Sequence, residues 1–222
     1  MSARDDVFSN IRRSLGVTGK EATRRAAVGQ RLETTPRGPV PRRGQGSAAA
    51  RMATFITEAQ RVSASVVMLE NAAAIPAEVA RYLSECNVAP VLRMGADARL
   101  AGLDWAGAGL STSTGRSDGS DLNAISHAFA GVAETGSLIV LSGPDNPATL
   151  NYLPDNHIIV LAVSDLCGDL ETVWTRLRRA TGALLPRTVN IITGPSRSAD
   201  IEQTLLLGAH GPRRLHILVT LG

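Results

Sequence analysis

Several residue types are scarce in this 222-residue chain, and each scarcity excludes something. There are two cysteines, Cys86 and Cys167, far apart and with no CxxC anywhere. A disulfide framework, a structural zinc site and a cysteine-ligated iron–sulfur cluster are therefore not expected within the chain. Cys86 reads as an ordinary helix residue rather than a nucleophile. Aromatic residues make up 3% of the chain, too few for a platform that stacks single-stranded nucleic acid. No uncharged apolar run reaches the length of a transmembrane helix. The first residues, MSARDDVFSNIRRS, lack the apolar segment of a signal peptide and set acids beside arginines, which predicts a cytoplasmic protein. There is no GxGxxG after a strand, no Walker phosphate loop and no GxSxG elbow.

What is present is 44% hydrophobic residues, enough to build a core for one α/β domain with an appendage. The net charge of +3 conceals an uneven distribution. Residues 1–51 hold 11 basic against 4 acidic side chains, and the remainder holds 12 against 16. The basic character belongs to the N-terminal quarter. Lys20 is the single lysine among 23 basic residues, a skew that reflects genome composition rather than mechanism.

Along the chain, residues 5–15 place Val7, Phe8, Ile11 and Leu15 on one helical face, with Gly16 placed to close it. From 17 to 47 prolines, glycines and clustered arginines interrupt any periodicity, so residues 1–47 read as a helix followed by a basic arm. Residues 48–222 read as the folded domain. A helix is expected from Ala48, with Met52, Phe55, Ile56 and Ala59 on its apolar face. Strands are expected at Ser65–Leu69, 88–93, Ser137–Leu141, 157–163, 188–193 and 215–221, and helices at 76–86, 170–180 and 199–207. This alternation predicts a three-layer α/β domain with a mainly parallel sheet.

In such a sheet, ligands sit beyond the carboxyl ends of strands. Three segments qualify. In TGPSRSAD, residues 193–200, Gly194 permits close backbone approach, Ser196 and Ser198 offer hydroxyls, and Arg197 offers a fixed positive charge. The segment reads either as an anion site at a helix start or as plain capping, with Ser198 the N-cap and Asp200 complementing the dipole. In AETGS, Glu134 before a glycine turn is an acid/base, a nucleophile, a ligand anchor or simply a turn acid. In LGAHGPR, His210 is an acid/base or a loop hydrogen-bonding residue, with Gly208 or Gly211 ending the preceding helix. His127, His157 and His216 show no metal-ligand spacing.

AETGSLIVLSG at 133–143, the 157–163 strand and TGPSRSADIEQTLLLGAHGPRRLHILV at 193–219 together resemble the lactate utilization protein C family, which carries the LUD domain. The pattern GPS-x-[ST]-ADIE followed by G-x-HGP is the more specific part. The resemblance implies a fold like that of ribose-5-phosphate isomerase and the CoA transferases. It also implies a part in oxidising L-lactate to pyruvate, beside partner proteins that carry iron–sulfur clusters, with no cofactor in this chain. It points to Glu134, Gly136, Gly194, Ser196, Asp200, Glu202, His210 and Gly211 as lining or shaping one site that takes a small anionic ligand. One departure stands out: Asn123-Ala124-Ile125-Ser126 occupies the place where family members often carry an acidic residue and an IT or VT pair. The alternative is a free-standing sugar-phosphate or acyl-CoA enzyme using Glu134. Neither nucleic acid nor a membrane is the expected partner.

Overall fold

The computed structural model describes residues 2–182, 184–199, 205–208 and 210–222, and of residues 198–199 and 205–207 only the backbone. Two compact units are present, residues 1–39 and residues 40–222.

The first unit holds two helices, α1 (Ala3–Leu15) and α2 (Ala22–Thr34). Ser2 caps α1 in a reciprocal box with Asp5, and Gly16 closes it at φ 63°, a left-handed value that glycine adopts without cost. Helix α2 falls inside the segment expected to be an arm. Its Ala, Arg, Gln and Leu are strong helix formers, so propensity suffices although no apolar stripe marks it. Neither helix buries a residue.

The second unit runs α3 (Ala48–Arg61), β1 (Ser65–Leu69), α4 (Ile75–Glu85), β2 (Val91–Met94), α5 (Ala98–Ala101), β3 (Ser111–Thr114), β4 (Asn123–His127), β5 (Ala130–Val132), β6 (Ser137–Leu141), β7 (Asn156–Ala162), β8 (Leu166–Cys167), α6 (Leu170–Thr181), β9 (Val189–Ile192), β10 (Arg197–Ala199), β11 (Leu205–Leu207) and β12 (Arg214–Thr220). Six strands form a wholly parallel sheet in the order β1-β12-β7-β4-β2-β3. The α/β class and the parallel sheet expected from the alternation are both present.

Two expected members of that sheet lie elsewhere. Ser137–Leu141 and Val189–Ile192 pair antiparallel in a second sheet of order β8-β5-β6-β9. Periodicity cannot separate these cases, because β6 is buried on both faces just as a central parallel strand is. Leu138 and Val140 pack toward the main sheet and α3, with Phe55, Ile159 and Ile217. Ile139 packs the opposite way, with Val132, Cys167 and Val173 of α6. On the far face of the main sheet, α4 and the 100–110 segment bury Val79, Leu83, Leu92, Leu100 and Trp105.

The helix expected over residues 199–207 is not formed at its described ends. Arg197–Ala199 pairs antiparallel with Leu205–Leu207, and the ladder continues through a bond from Gly208 N to the Ser196 carbonyl at 3.0 Å. Pairing with a neighbouring segment here outweighs the helix propensity of Leu205–Leu207. Ser198 therefore sits in a strand, opposite Leu206, and is not a helix N-cap. Asp200 and Glu202 lie outside the described residues. No helix among the described residues is long and apolar enough to cross a membrane.

Candidate functional site

The chain leaves β9 at Thr193 and returns to the main sheet through His210 and Pro212. These two stretches face each other across a cleft of about 430 Å³. Gly194, Ser196, Arg197, His210 and Gly211 all line it, together with Tyr152 from the loop before β7. Five of the expected site residues, from two separate sequence segments, thus share one cleft.

Backbone geometry explains why these residue types stand there. Gly194 has φ 78°, and a Cβ on it would fall 2.5 Å from the carbonyl oxygen of Val62 at the end of α3. Only glycine passes that point unstrained. Ser196 is held on both sides, its N–H donating to Pro212 O at 2.8 Å and its carbonyl accepting from Gly208. A Cβ on Gly211 would stand 3.3 Å from that of Ser196, so the two walls touch here. Arg197 is exposed; its Nη2 donates to Val62 O at 3.4 Å and to the Ser63 hydroxyl. His210 is exposed at the cleft. Because 197–199 is a strand, any anion affinity here rests on side chains and loop amides, not on a helix dipole.

Glu134 and Gly136 do not line this cleft. They occupy the turn between β5 and β6. Glu134 is buried, 6% exposed, and its Oε1 accepts from Leu170 N at 3.1 Å, in the first turn of α6. Its own N–H donates to Gly168 O, and its Oε2 is buried without a hydrogen-bond partner among the described residues. Asp169, the N-cap of α6, accepts from Thr172 N at 2.8 Å. Glu134 is therefore a second carboxylate at the same helix start, in the position that satisfies orphan amides. Gly136, at φ 65°, lies so close to α3 that a Cβ would be 2.3 Å from Ala59 N. One connection joins this turn to the cleft: the hydroxyls of Thr135, Ser137 and Thr193 form a chain with both steps 2.7 Å long.

A cluster that spacing did not single out stands at the carboxyl ends of β2, β4 and β7. There a cavity of about 320 Å³ is lined by Asp97, Arg99, His127, Asp145, Asp165 and Arg176. Asp97 and Arg99 are ion-paired, as are Asp165 and Arg176. Burial pushes the Asp97 carboxyl up, but its hydrogen bonds from Arg99 more than reverse this and hold it below its ordinary value. His127 is lowered by burial and lies with Nδ1 2.9 Å from Ala128 O. Its neutral form donates from Nδ1 and leaves Nε2 as the acceptor. The strand that supplies it, β4, contains Asn123–Ser126, the stretch that departs from the family pattern. Asn123 and Ser126 are buried, and the Asn123 amide donates to the carbonyls of Ala89 and Val91. No single motif announces this cluster, since its members come from five separate stretches of the chain, the arginines from α5 and α6 and the others from loops and strand ends. No group of three or more His, Cys, Asp or Glu among the described residues is arranged to hold a metal ion.

Comparisons with known proteins bear on the same region. Against a protein of Neisseria meningitidis described as uncharacterized, the chain is 38% identical over 96 residues, which are 43% of this chain and 41% of that one. Lactate utilization protein C of Halalkalibacterium halodurans is 38% identical over 90 residues, 40% of this chain and 39% of that one. The matched stretch thus spans about two fifths of the length of these relatives. Among solved structures, a DUF162 family protein from Deinococcus radiodurans superposes with a TM-score of 0.57 at 21% identity, covering 79% of this chain and 99% of that one, which establishes a shared fold. The family model of the LUD domain matches residues 52–220, from helix α3 to the last residue of β12, and so takes in both larger sheets, the β10–β11 pair and the cleft between Gly194 and Gly211. With that match spanning most of its length, the chain belongs to the LUD domain family.

Proposed function

We propose that this chain serves lactate utilization as a non-redox component. On this reading it works beside iron–sulfur partner proteins and holds a small anionic ligand in the cleft between Gly194 and Gly211. The observation that carries the reading is the convergence of Gly194, Ser196, Arg197, His210 and Gly211 on one cleft within a LUD domain. Relatives named lactate utilization protein C support the biological setting. In the cleft Arg197 supplies positive charge, the Ser196 hydroxyl supplies a hydrogen bond, and His210 exchanges a proton with the ligand. The redox centres are assigned to partners. The two cysteines here stand alone, and burial raises the Cys167 thiol above its ordinary value, the reverse of what thiolate ligation requires.

Deletion of the gene in its own organism tests the role. Growth on L-lactate should stop while growth on pyruvate continues, and the wild-type gene should restore it. Complementation with His210→Ala or Ser196→Val should restore growth poorly at equal protein level. Unchanged growth on L-lactate after deletion would overturn the reading.

A further inference from the structure

A further cavity, of about 410 Å³, opens at the amino ends of β1 and β12, adjoining the first cleft and sharing Pro195 and Arg197 with it. Arg197, Arg213 and Arg214 line it, with Ser63, Ser65 and Tyr82. Among the described residues no carboxylate lines it. The three guanidiniums are positioned, not merely near one another. Arg197 is tied to Val62 O and the Ser63 hydroxyl, and Arg214 donates from Nη1 to Asn156 Oδ1 at 3.1 Å. Asn156 is itself buried and bonded to Asn123. Arg213 Nε lies 3.5 Å from Asp155, and its chain crosses Gly208 so closely that a Cβ there would fall 2.3 Å from Arg213 Cγ. These contacts engage one nitrogen of each guanidinium among the described residues, out of the five N–H donors each fork presents.

The remaining polar groups sharpen the ligand chemistry. Ser65 Oγ lies 2.7 Å from His216 Nδ1, and His216 is buried with Glu78 beside its Nε2. A neutral His216 whose Nε2–H faces Glu78 accepts a hydrogen bond from the Ser65 hydroxyl at Nδ1, so Ser65 does not donate into the cavity. Attraction therefore comes from the guanidiniums. One carboxylate, Asp155, partly offsets three positive charges, which leaves an excess that a singly charged ligand does not balance. Guanidinium forks match planar or tetrahedral oxyanions bidentately. The volume suits a small molecule. Tyr82 is the one aromatic in the lining; it is buried, with one face stacked on His216 at 4.0 Å, so it does not form an open stacking platform for a nucleobase.

We propose that this cavity is a binding site for a small metabolite with a multiply charged oxyanion head, either a diphosphate or a polycarboxylate. The proposal does not rest on the lactate reading: Arg197 is common to both cavities, whereas its critical residues, Arg213 and Arg214, do not line the first cleft. Calorimetric titration of the full chain near neutral pH with pyrophosphate, citrate, L-lactate and a short single-stranded oligothymidylate tests it. Pyrophosphate or citrate should bind at one saturable site, and whichever binds more tightly identifies the head group. L-Lactate should not compete. Arg213→Ala, an exposed change that should leave the melting temperature in place, should weaken binding about tenfold, and Arg214→Lys should weaken it by less. Arg179→Ala on α6 should leave it unchanged. Absence of saturable binding by both oxyanions would overturn the proposal. So would undiminished affinity in Arg213→Ala, or tighter binding of the oligonucleotide than of either oxyanion.

Discussion

Glu134 shows how a residue's contacts define its structural work. A carboxylate before a glycine turn is chemically versatile, but this one accepts the Leu170 amide at the start of α6 while buried. Glu134→Ala removes that acceptor and leaves a buried N–H unpaired, which should cost about 1–2 kcal/mol. Glu134→Gln keeps an acceptor at the same place and should recover most of the loss, as urea midpoints of the two variants will show. The buried histidines are a second case. Burial pushes His157 down to about 3 and His216 down to about 4, the latter despite the opposing pull of Glu78. Both remain neutral in the folded chain while the unfolded chain takes up protons below its ordinary histidine value. Above that value neither contributes, and as pH falls from there toward the folded values stability is lost. The loss should amount to about 2–3 kcal/mol in total between pH 7.5 and about pH 5.5, measured as the urea dependence at each pH. A flat profile would show that these rings are not buried in the neutral form.

Among the elements, the glycine-bearing turns carry the tightest constraints. Gly136 and Gly194 both lie in the left-handed region and both abut α3, one against Ala59 N and the other against Val62 O. Gly194→Ala combines a strained φ with a backbone clash and should cost about 3 kcal/mol, read as a lowered melting temperature. If instead it is tolerated, the close approach of the cleft wall to α3 is wrong. Most elements were legible from pattern: α1, α3, α4, α6 and the strands β1, β7 and β12 fall within a residue or two of their expected places. The segment around residues 199–207 was not. Leu205–Leu207 has helical propensity, and its strand form depends on hydrogen bonds with Arg197–Ala199 that no local window contains. Strand β4 was equally hidden, because Asn123 and Ser126 are polar residues whose burial is licensed by partners on other elements. Asn123 bonds the Ala89 and Val91 carbonyls, and Ser126 bonds Asn146.

For the whole molecule, the uneven charge of the chain maps onto its division into units. The basic excess lies in the segment that includes α1 and α2, whereas the domain that holds every cavity discussed above carries more acidic than basic side chains. Anion affinity there comes from local clustering, as at Arg197, Arg213 and Arg214, and not from the net charge. Among these, Arg197 drew notice from its motif, whereas Arg213 and Arg214 were not singled out, and the start of β12 brings them beside Ser63 at the end of α3.

By itself the sequence determined the α/β class, the positions of most helices and strands, and the family. These follow from local periodicity, turn chemistry and motif, all of which are carried by neighbouring residues. Only the tertiary structure decided that Ser137–Leu141 and Val189–Ile192 leave the main sheet for a second one, and that Glu134 braces a helix away from the cleft. It also decided that three arginines share a cavity at the amino ends of the strands. Each of those outcomes depends on which distant backbone satisfies a given hydrogen bond or covers a given apolar face. Residues far apart in the chain settle that together, and a linear pattern does not record it.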